Sequence, residues 1–245
     1  MSNLNSPSPK EKGCHIDVRL FTISFNHPVA HKVWQMTLRG ENLSKLTIHP
    51  GQFVHIRCGS SLFPLLRRPI SICDVRPDQN ELDLIYRVEG EGTRYLSQLK
   101  RGDRLDLLGP LGTGFPIEKR RAGEHVAVIG GGVGVPPLYY LSKSLRQKGV
   151  TVTHLLGFNT ARDIFLREEF EALGETKIAT MDGSFGYQGY VTDLLPTDDL
   201  PYSAVYACGP LPMLKAVEQR LGGKGIEVYI SVEQRMGCGI GACLA

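Results

Sequence analysis

The chain has 245 residues, 42% of them hydrophobic and 22% charged, with a formal net charge of +3. This is the balance of a soluble globular protein long enough for one large domain or two modest ones. It excludes a nucleic-acid binder built on a Lys/Arg block, and no apolar run approaches the roughly 18 residues of a membrane span.

The N-terminus, "MSNLNSPSPKEKG", is polar and lacks the apolar core of a signal peptide, so residues 1–13 read as a disordered tail. Six cysteines without a secretory signal read as a reduced, cytoplasmic set. Cys14, Cys58, Cys73 and Cys208 lie far apart and are expected to be small buried hydrophobes. From His15 the chain reads as short strands separated by Gly, Pro, Asn and Asp: "HIDVRLFTISFN", "VWQMTLRG", "GQFVHIRC", "PISICDV", "ELDLIYRV" and "DRLDLLGPLG". Six such strands predict an antiparallel barrel over 14–119, interrupted by one short helix at "GTRYLSQLKRG".

The pattern changes after the charged, apolar-poor stretch around Arg120–Gly123. Strand "HVAVIGG" precedes helix "PPLYYLSKSLRQKG", with Leu138, Leu141 and Leu145 on one face, prolines at its start and Gly149 at its stop. Strand "VTVTHLLGF", helix "DIFLREEFEAL", strand "KIATMD", a short helix at "YVTDLL", strand "SAVYACG", helix "LPMLKAVEQRLG" and strand "IEVYISVE" follow. This alternation predicts a doubly wound parallel sheet over 120–232, covered by helices on both faces.

Several short motifs carry chemistry. "VIGGGVGVPP" joins the first strand of the α/β half to its first helix, where glycines let backbone approach a pyrophosphate. Gly132 and Gly134 supply G-x-G, but the third glycine position is Pro137, and a tight turn without a ligand stays open. The acid that grips a ribose at the end of the second strand is missing, where the chain has Gly157-Phe158-Asn159, so this rule does not decide between NADH and NADPH. "ACGPLPM" places Cys208 at a strand tip, where a nicotinamide could sit or a buried thiol could simply pack. In the barrel half, Arg68 of "RRPISI" could pair with phosphate and Ser71 with a polar ring. Gly92-Thr93 of "EGEGT" would open a helix with free N–H groups. At the end, Cys238 and Cys243 form C-x4-C in a glycine-rich run, the first half of the plant-type iron–sulfur spacing. A pair of uncommitted thiols, or two of the four ligands of a zinc site, are the other readings.

The ordered set R-P-I-S, Y-R-V, G-x-G-T, G-P-L-G, G-G-G-x-G-x-x-P and C-G-P resembles the ferredoxin reductase family of flavoproteins from about residue 15 to residue 232. The resemblance implies FAD on a Greek-key barrel and a nicotinamide nucleotide on the α/β domain. By that likeness Arg68, Pro69, Ile70 and Ser71 contact flavin and phosphate, and Ile85, Tyr86, Arg87 and Val88 the ribityl and adenylate portion. Gly92 and Thr93 cap the pyrophosphate, and Gly131, Gly132, Gly134, Cys208, Gly209, Pro210 and Met213 hold NAD. Ile70 stands where that family usually carries an aromatic. "SVEQRMGCGIGACLA", together with "DGSFGYQGYVTDLL", is similar to the electron-transfer subunits of NAD-dependent dihydroorotate dehydrogenases. That likeness implies a 2Fe–2S loop beginning at residue 233, with Cys238 and Cys243 as two of its ligands and the others expected beyond Ala245, so that these residues alone should hold no stable cluster. It also implies a partner, an FMN-containing catalytic subunit, in a heterotetramer of two copies each, serving pyrimidine synthesis. A subunit of another redox complex, a free-standing flavin reductase and a non-catalytic nucleotide-binding scaffold remain alternatives.

Overall fold

The computed structural model describes residues 17–59, 66–196, 200–233 and 236–240. The expected tail at 1–13, Cys14, and the first two residues of the expected first strand lie outside that set.

Six strands form the first half: β1 (Asp17–Ala30), β2 (Val33–Gly40), β3 (Phe53–Ile56), β4 (Arg68–Arg76), β5 (Glu81–Arg87) and β6 (Arg104–Leu111). They close into a barrel in the order β1-β2-β5-β4-β3-β6, every neighbour antiparallel. Period-2 alternation decides what faces inward. In β5, Leu82, Leu84 and Tyr86 join the barrel core with Val54 and Ile56 of β3 and Ile72 of β4. A bulge in β4 between Ile72 and Asp74 turns both Cys73 and Asp74 to the outside. The barrel interior is full, with a void of only about 10 Å3 at one end. The one helix, α1 (Glu91–Gln98), starts where Thr93 Oγ1 accepts the N–H groups of Glu89 and Gly90 at 3.1 and 3.2 Å. At its other end Asn26 Nδ2 donates to the carbonyls of Leu96 and Leu99, both at 2.9 Å.

The second half carries β7 (His125–Gly131), α2 (Pro136–Gln147), β8 (Thr151–Phe158), α3 (Arg167–Glu171), β9 (Thr176–Thr180), β10 (Tyr187–Gln188), β11 (Ala204–Cys208), α4 (Leu211–Leu221) and β12 (Glu227–Ser231). The sheet runs β10-β9-β8-β7-β11-β12, all parallel, so the order reverses between β7 and β11. Its strands are apolar on both sides because both faces are covered. Val126 and Val128 of β7 pack toward α2, while Ala127 and Ile129 pack toward Leu214, Val217 and Leu221 of α4.

Two expected helices come out differently. The helix expected over 163–173 is a 3-10 turn at Ala161–Asp163 and then a short α3, separated by Leu166 with φ of 57°. The one at "YVTDLL" is a 3-10 helix, Val191–Leu194. β10, only two residues long, was not expected.

The outward residues Val33, Cys73 and Ile85 of the barrel share one apolar cluster with Leu138, Leu141 and Leu145 of α2. Beside that cluster Lys143 Nζ of α2 donates to both carboxylate oxygens of Asp74 at 2.7 Å. Arg76 closes the network on Asp83 at 2.6 and 2.8 Å.

Candidate functional site

The reversal of strand order leaves a crevice at the carboxyl ends of β7 and β11, the usual ligand position in such sheets. The two glycine-rich turns meet there. A Cβ on Gly134 would overlap the Cys208 carbonyl, and one on Gly131 would stand 2.7 Å from Met213 Sδ and 3.0 Å from Pro210 Cδ. A Cβ on Gly209 would lie 2.7 Å from Met213 Cε and 3.1 Å from the Gly131 nitrogen. All seven residues expected to hold a nicotinamide nucleotide are thus gathered at one point. Gly132 is left-handed, with φ of 52°, a conformation that favours glycine. Pro136 and Pro137 open α2, so its first two positions have no N–H to give. The amides offered to an anion here come from the Gly132–Gly134 turn, with the helix supplying its dipole. Burial pushes the Cys208 thiol up to about 11, against a hydrogen bond with Ser231 that lowers it, so the group is a neutral thiol.

On the barrel side, Arg68, Pro69, Ile70 and Ser71 lie half-buried along the start of β4. Arg68 runs across the N-terminus of α1: a Cβ on Gly92 would stand 2.6 Å from Arg68 Nε, and Arg68 Nη1 donates to the Leu66 carbonyl at 2.8 Å. Arg68, Gly92 and Thr93 therefore form one unit, in which Thr93 Oγ1 already serves the helix cap. The next strand divides its residues. Arg87 and Val88 open on a cleft of about 640 Å3 between the two halves of the chain. Tyr86 turns into the barrel, 2% exposed, and donates to Asn26 Oδ1 at 3.1 Å; burial raises its phenol pKa. The Ile85 side chain sits in the apolar cluster shared with α2. Neither side chain is presented to the cleft, so the alternation of β5 leaves that task to Arg87.

The cleft is lined by His31, Lys32, Arg87, Val88, Glu89 and Arg94 from the barrel half and by Asn159, Thr160 and Asp163 just past the end of β8. Its cationic side chains suit phosphates, and a volume of this size suits a dinucleotide portion. Arg87 spans it: a Cβ on Gly132 would lie 3.6 Å from Arg87 Nη2, and Arg87 Nη1 pairs with Glu89 at 3.6 Å. The Arg87 Nε is buried without a hydrogen-bond partner among the described residues, which a bound anion would relieve.

The chain returns to the barrel at Gly237–Ile240. Cys238 is half-buried there, and Gly239, φ of 71°, lies on the ring of His55. A thiolate in a glycine loop is the donor chemistry of an iron–sulfur centre. Cys243 lies outside the described residues, among which no group of three or more His, Cys, Asp or Glu could hold a metal ion.

Two residues escaped the sequence reading. His55, in the strand before "RRPISI", looked like an ordinary strand residue and is fully buried under the cysteine loop. Asp182 stands exposed just past the carboxyl end of β9, an acid one strand further on than the usual rule places it. Its carboxylate accepts the Ser184 hydroxyl at 2.6 Å, which holds it below the usual carboxylate range.

Comparisons with known proteins identify the two halves of the chain. Residues 20–115 match the oxidoreductase FAD-binding domain family and residues 128–219 the oxidoreductase NAD-binding domain family. A Bacillus velezensis protein named dihydroorotate dehydrogenase B (NAD(+)), electron transfer subunit, is 50% identical over 91% of this chain and 86% of its own length. A Bacillus pumilus protein of the same name is 48% identical over the same shares. The solved structure of an NADH-dependent reduced ferredoxin-NADP oxidoreductase superposes with a TM-score of 0.80 at 28% identity, covering 95% of this chain and 82% of the other. With an FAD-binding barrel, an NAD-binding parallel sheet and this degree of identity along nine-tenths of its length, the chain belongs to the family of dihydroorotate dehydrogenase B electron transfer subunits.

Proposed function

We propose that this chain carries electrons between a dihydroorotate-oxidising catalytic subunit and NAD+, with FAD seated on the barrel and the nicotinamide nucleotide on the parallel sheet. The observation that supports it most is the approach of Arg87, on the flavin side, to Gly132, in the nucleotide turn. Two nucleotide sites whose residues approach this closely can bring two redox rings together. The flavin, when bound, supplies the ability to exchange electrons in pairs with a nicotinamide and singly with an iron–sulfur centre.

The work left to the protein is binding and positioning. Arg68 neutralises flavin phosphate, while Pro69, Ile70 and Ser71 present a strand edge and a hydroxyl to the ring system. Arg87 and Val88 hold the adenylate side, Ile85 and Tyr86 act through backbone alone, and Gly92 lets Arg68 cross the start of α1. The amides of Gly132–Gly134 receive the nicotinamide pyrophosphate, and Cys208, Gly209, Pro210 and Met213 wall its ring. Asp182 is the acid placed to accept a ribose hydroxyl and to repel a 2′-phosphate, which favours NAD over NADP. Cys238 and Cys243 are two ligands of a 2Fe–2S cluster. The FAD domain spans 14–119, the NAD domain 120–232, and the cluster loop begins at 233. The partner is an FMN-containing subunit in a heterotetramer of two copies each, in the cytoplasm.

Co-expression with such a catalytic subunit tests the reading. The complex should form NADH from dihydroorotate and NAD+, the catalytic subunit alone should not, and this chain alone should reduce its flavin with NADH. A complex that purifies with all its flavins and a full iron–sulfur cluster yet makes no NADH from dihydroorotate would refute the assignment.

A further inference from the structure

β7, β8 and β9 are neighbours in register, with Gly131 beside Gly157 and Gly157 beside Ala179. β9 therefore ends two strand spacings, about 10 Å, from the glycine turn. A pyrophosphate on that turn lays its adenosine ribose across the ends of β8 and β9. Two acids stand there. Asp163 is engaged by its own loop: its Oδ2 accepts the Thr160 N–H at 3.2 Å and the Thr160 hydroxyl at 3.3 Å. Asp182 is exposed, and its bonds to Ser184 are one-sided. Oδ1 accepts both the Ser184 N–H at 3.0 Å and the Ser184 hydroxyl at 2.6 Å, while Oδ2 takes neither.

An aspartate that bonds its own backbone two residues on is common in turns. A further contact sets this one apart. Ser184 Oγ also accepts the Ala161 N–H at 2.7 Å, from the loop that follows β8. That amide opens the 3-10 turn Ala161–Asp163, an end whose N–H groups find no partner inside the helix. The Ser184 hydroxyl thus stands between two loops, receiving from one and donating to the acid of the other. Backbone bonds fix the same seam: the Met181 N–H reaches the Phe158 carbonyl at 3.1 Å, and the Asp182 N–H the Asn159 carbonyl at 3.3 Å. Beyond Ser184, Thr180 Oγ1 donates to the Phe185 carbonyl at 2.7 Å and accepts the Phe185 N–H at 3.1 Å. An exposed aspartate without such ties samples several rotamers, and a ligand that needs one of them binds more weakly by the cost of selecting it.

We propose that Ser184 is a positioning residue for NAD: its hydroxyl, anchored by the Ala161 N–H, turns one oxygen of Asp182 toward its own loop and leaves the other to accept the hydroxyls of the adenosine ribose. The inference rests on the reading of Asp182 given above. Ser184→Ala would keep the carboxylate and every backbone bond of the seam, and remove only the group that orients the acid.

The test uses the full chain loaded with FAD, in wild-type form and as Ser184→Ala, Ser184→Thr and Asp182→Asn. Flavin content is measured first. Stopped-flow reduction then gives the Kd and the limiting rate of flavin reduction for NADH, NADPH and the adenosine 2′-deoxy analogue of NADH. In Ser184→Ala the Kd for NADH should rise about five- to tenfold, with the limiting rate and flavin content unchanged. Threonine keeps the hydroxyl and should bring the Kd back to within about twofold of wild type. The 2′-deoxy analogue offers the carboxylate one hydroxyl fewer, so the alanine variant should weaken it less than it weakens NADH. A Ser184→Ala chain with wild-type Kd for NADH, or one that weakens both nucleotides equally, would overturn the positioning role. Either result beside an impaired Asp182→Asn would leave the acid its role and remove only that of Ser184. An Asp182→Asn chain with wild-type Kd for NADH and an unchanged preference over NADPH would remove the reading of Asp182, and this inference with it.

Discussion

Arg68 and Gly92 constrain each other. Arg68 reaches the flavin side of β4 only by crossing the start of α1, and it can cross only where no Cβ stands in the way. Arg68→Ala should lower FAD affinity by about ten- to a hundredfold, the worth of one or two charge-assisted hydrogen bonds. Gly92→Val should cause a similar loss by displacing the guanidinium, although it removes no ligand-binding group. The ratio of flavin to protein absorbance after gel filtration checks both, and full retention in the Arg68 variant would take that residue out of the site. Gly132→Val is expected to behave differently. It places a β-branched side chain at φ of 52°, in the turn proposed to offer amides to the nicotinamide nucleotide, so NADH should bind at least tenfold more weakly while FAD stays bound. Loss of the flavin instead would show that the two sites are not divided as proposed. The glycine turns themselves were legible in the sequence, because glycine-rich strand-to-helix turns show plainly in the chain. The directions of the Tyr86 and Ile85 side chains were not legible. Whether a strand residue faces the core, a packed domain or a ligand depends on register and on which neighbour covers that face, and a shift of one residue reverses the answer.

At the scale of elements, the strands read well because their apolar residues alternate or run continuously between clear turn signals. The helix expected over 163–173 read poorly: its apolar spacing continues through Leu166, but the backbone there takes a left-handed φ and Thr160 caps a separate 3-10 turn. β10 is too short to show any period. The junction of β8, β9 and α3 holds a consequence for pH. His154 of β8 lies fully buried with its ring 4.9 Å from that of Phe170, its Nδ1 3.0 Å from Thr176 Oγ1 and its Nε2 without a partner among the described residues. Burial pushes its pKa down to about 4, and Arg146 adds to the shift. The folded protein therefore resists a proton that the unfolded chain accepts near pH 6.5. Stability should be level above that pH, fall as pH drops from about 6.5 toward 4, and level off below, for a total loss of roughly 3 kcal/mol from this residue. Denaturant melts at several pH values should show a shallower decline for His154→Gln than for wild type. Equal slopes would mean that the imidazole gains its proton without unfolding.

The two halves of the molecule are joined by a core and not by a surface contact. Val33, Cys73 and Ile85 of the barrel pack with α2 as though they belonged to the parallel sheet's own interior, and Lys143 meets Asp74 beside them. Calorimetry should accordingly record one transition for both domains. Lys143→Met leaves Asp74, 6% exposed, with only the longer contact to Arg76 at 3.4 Å. The expected cost is about 2 kcal/mol and a drop in Tm of roughly 5 °C. Two separate transitions in the wild type would contradict a shared core. None of this joint could be read from the chain, since outward-facing apolar residues on a barrel strand do not say what they will meet. The joint also governs timing. α2 begins at the nucleotide turn and lies along β4, which begins at Arg68, so one rigid brace connects the floors of both sites. A molecule braced in this way is expected to need no domain swing before the nicotinamide meets the flavin. Once NADH is bound, the rate of flavin reduction should then be set within the bound complex and not by the tumbling of domains: in stopped-flow mixing at saturating NADH, glycerol sufficient to thicken the solvent severalfold should leave the rate of flavin bleaching almost unchanged.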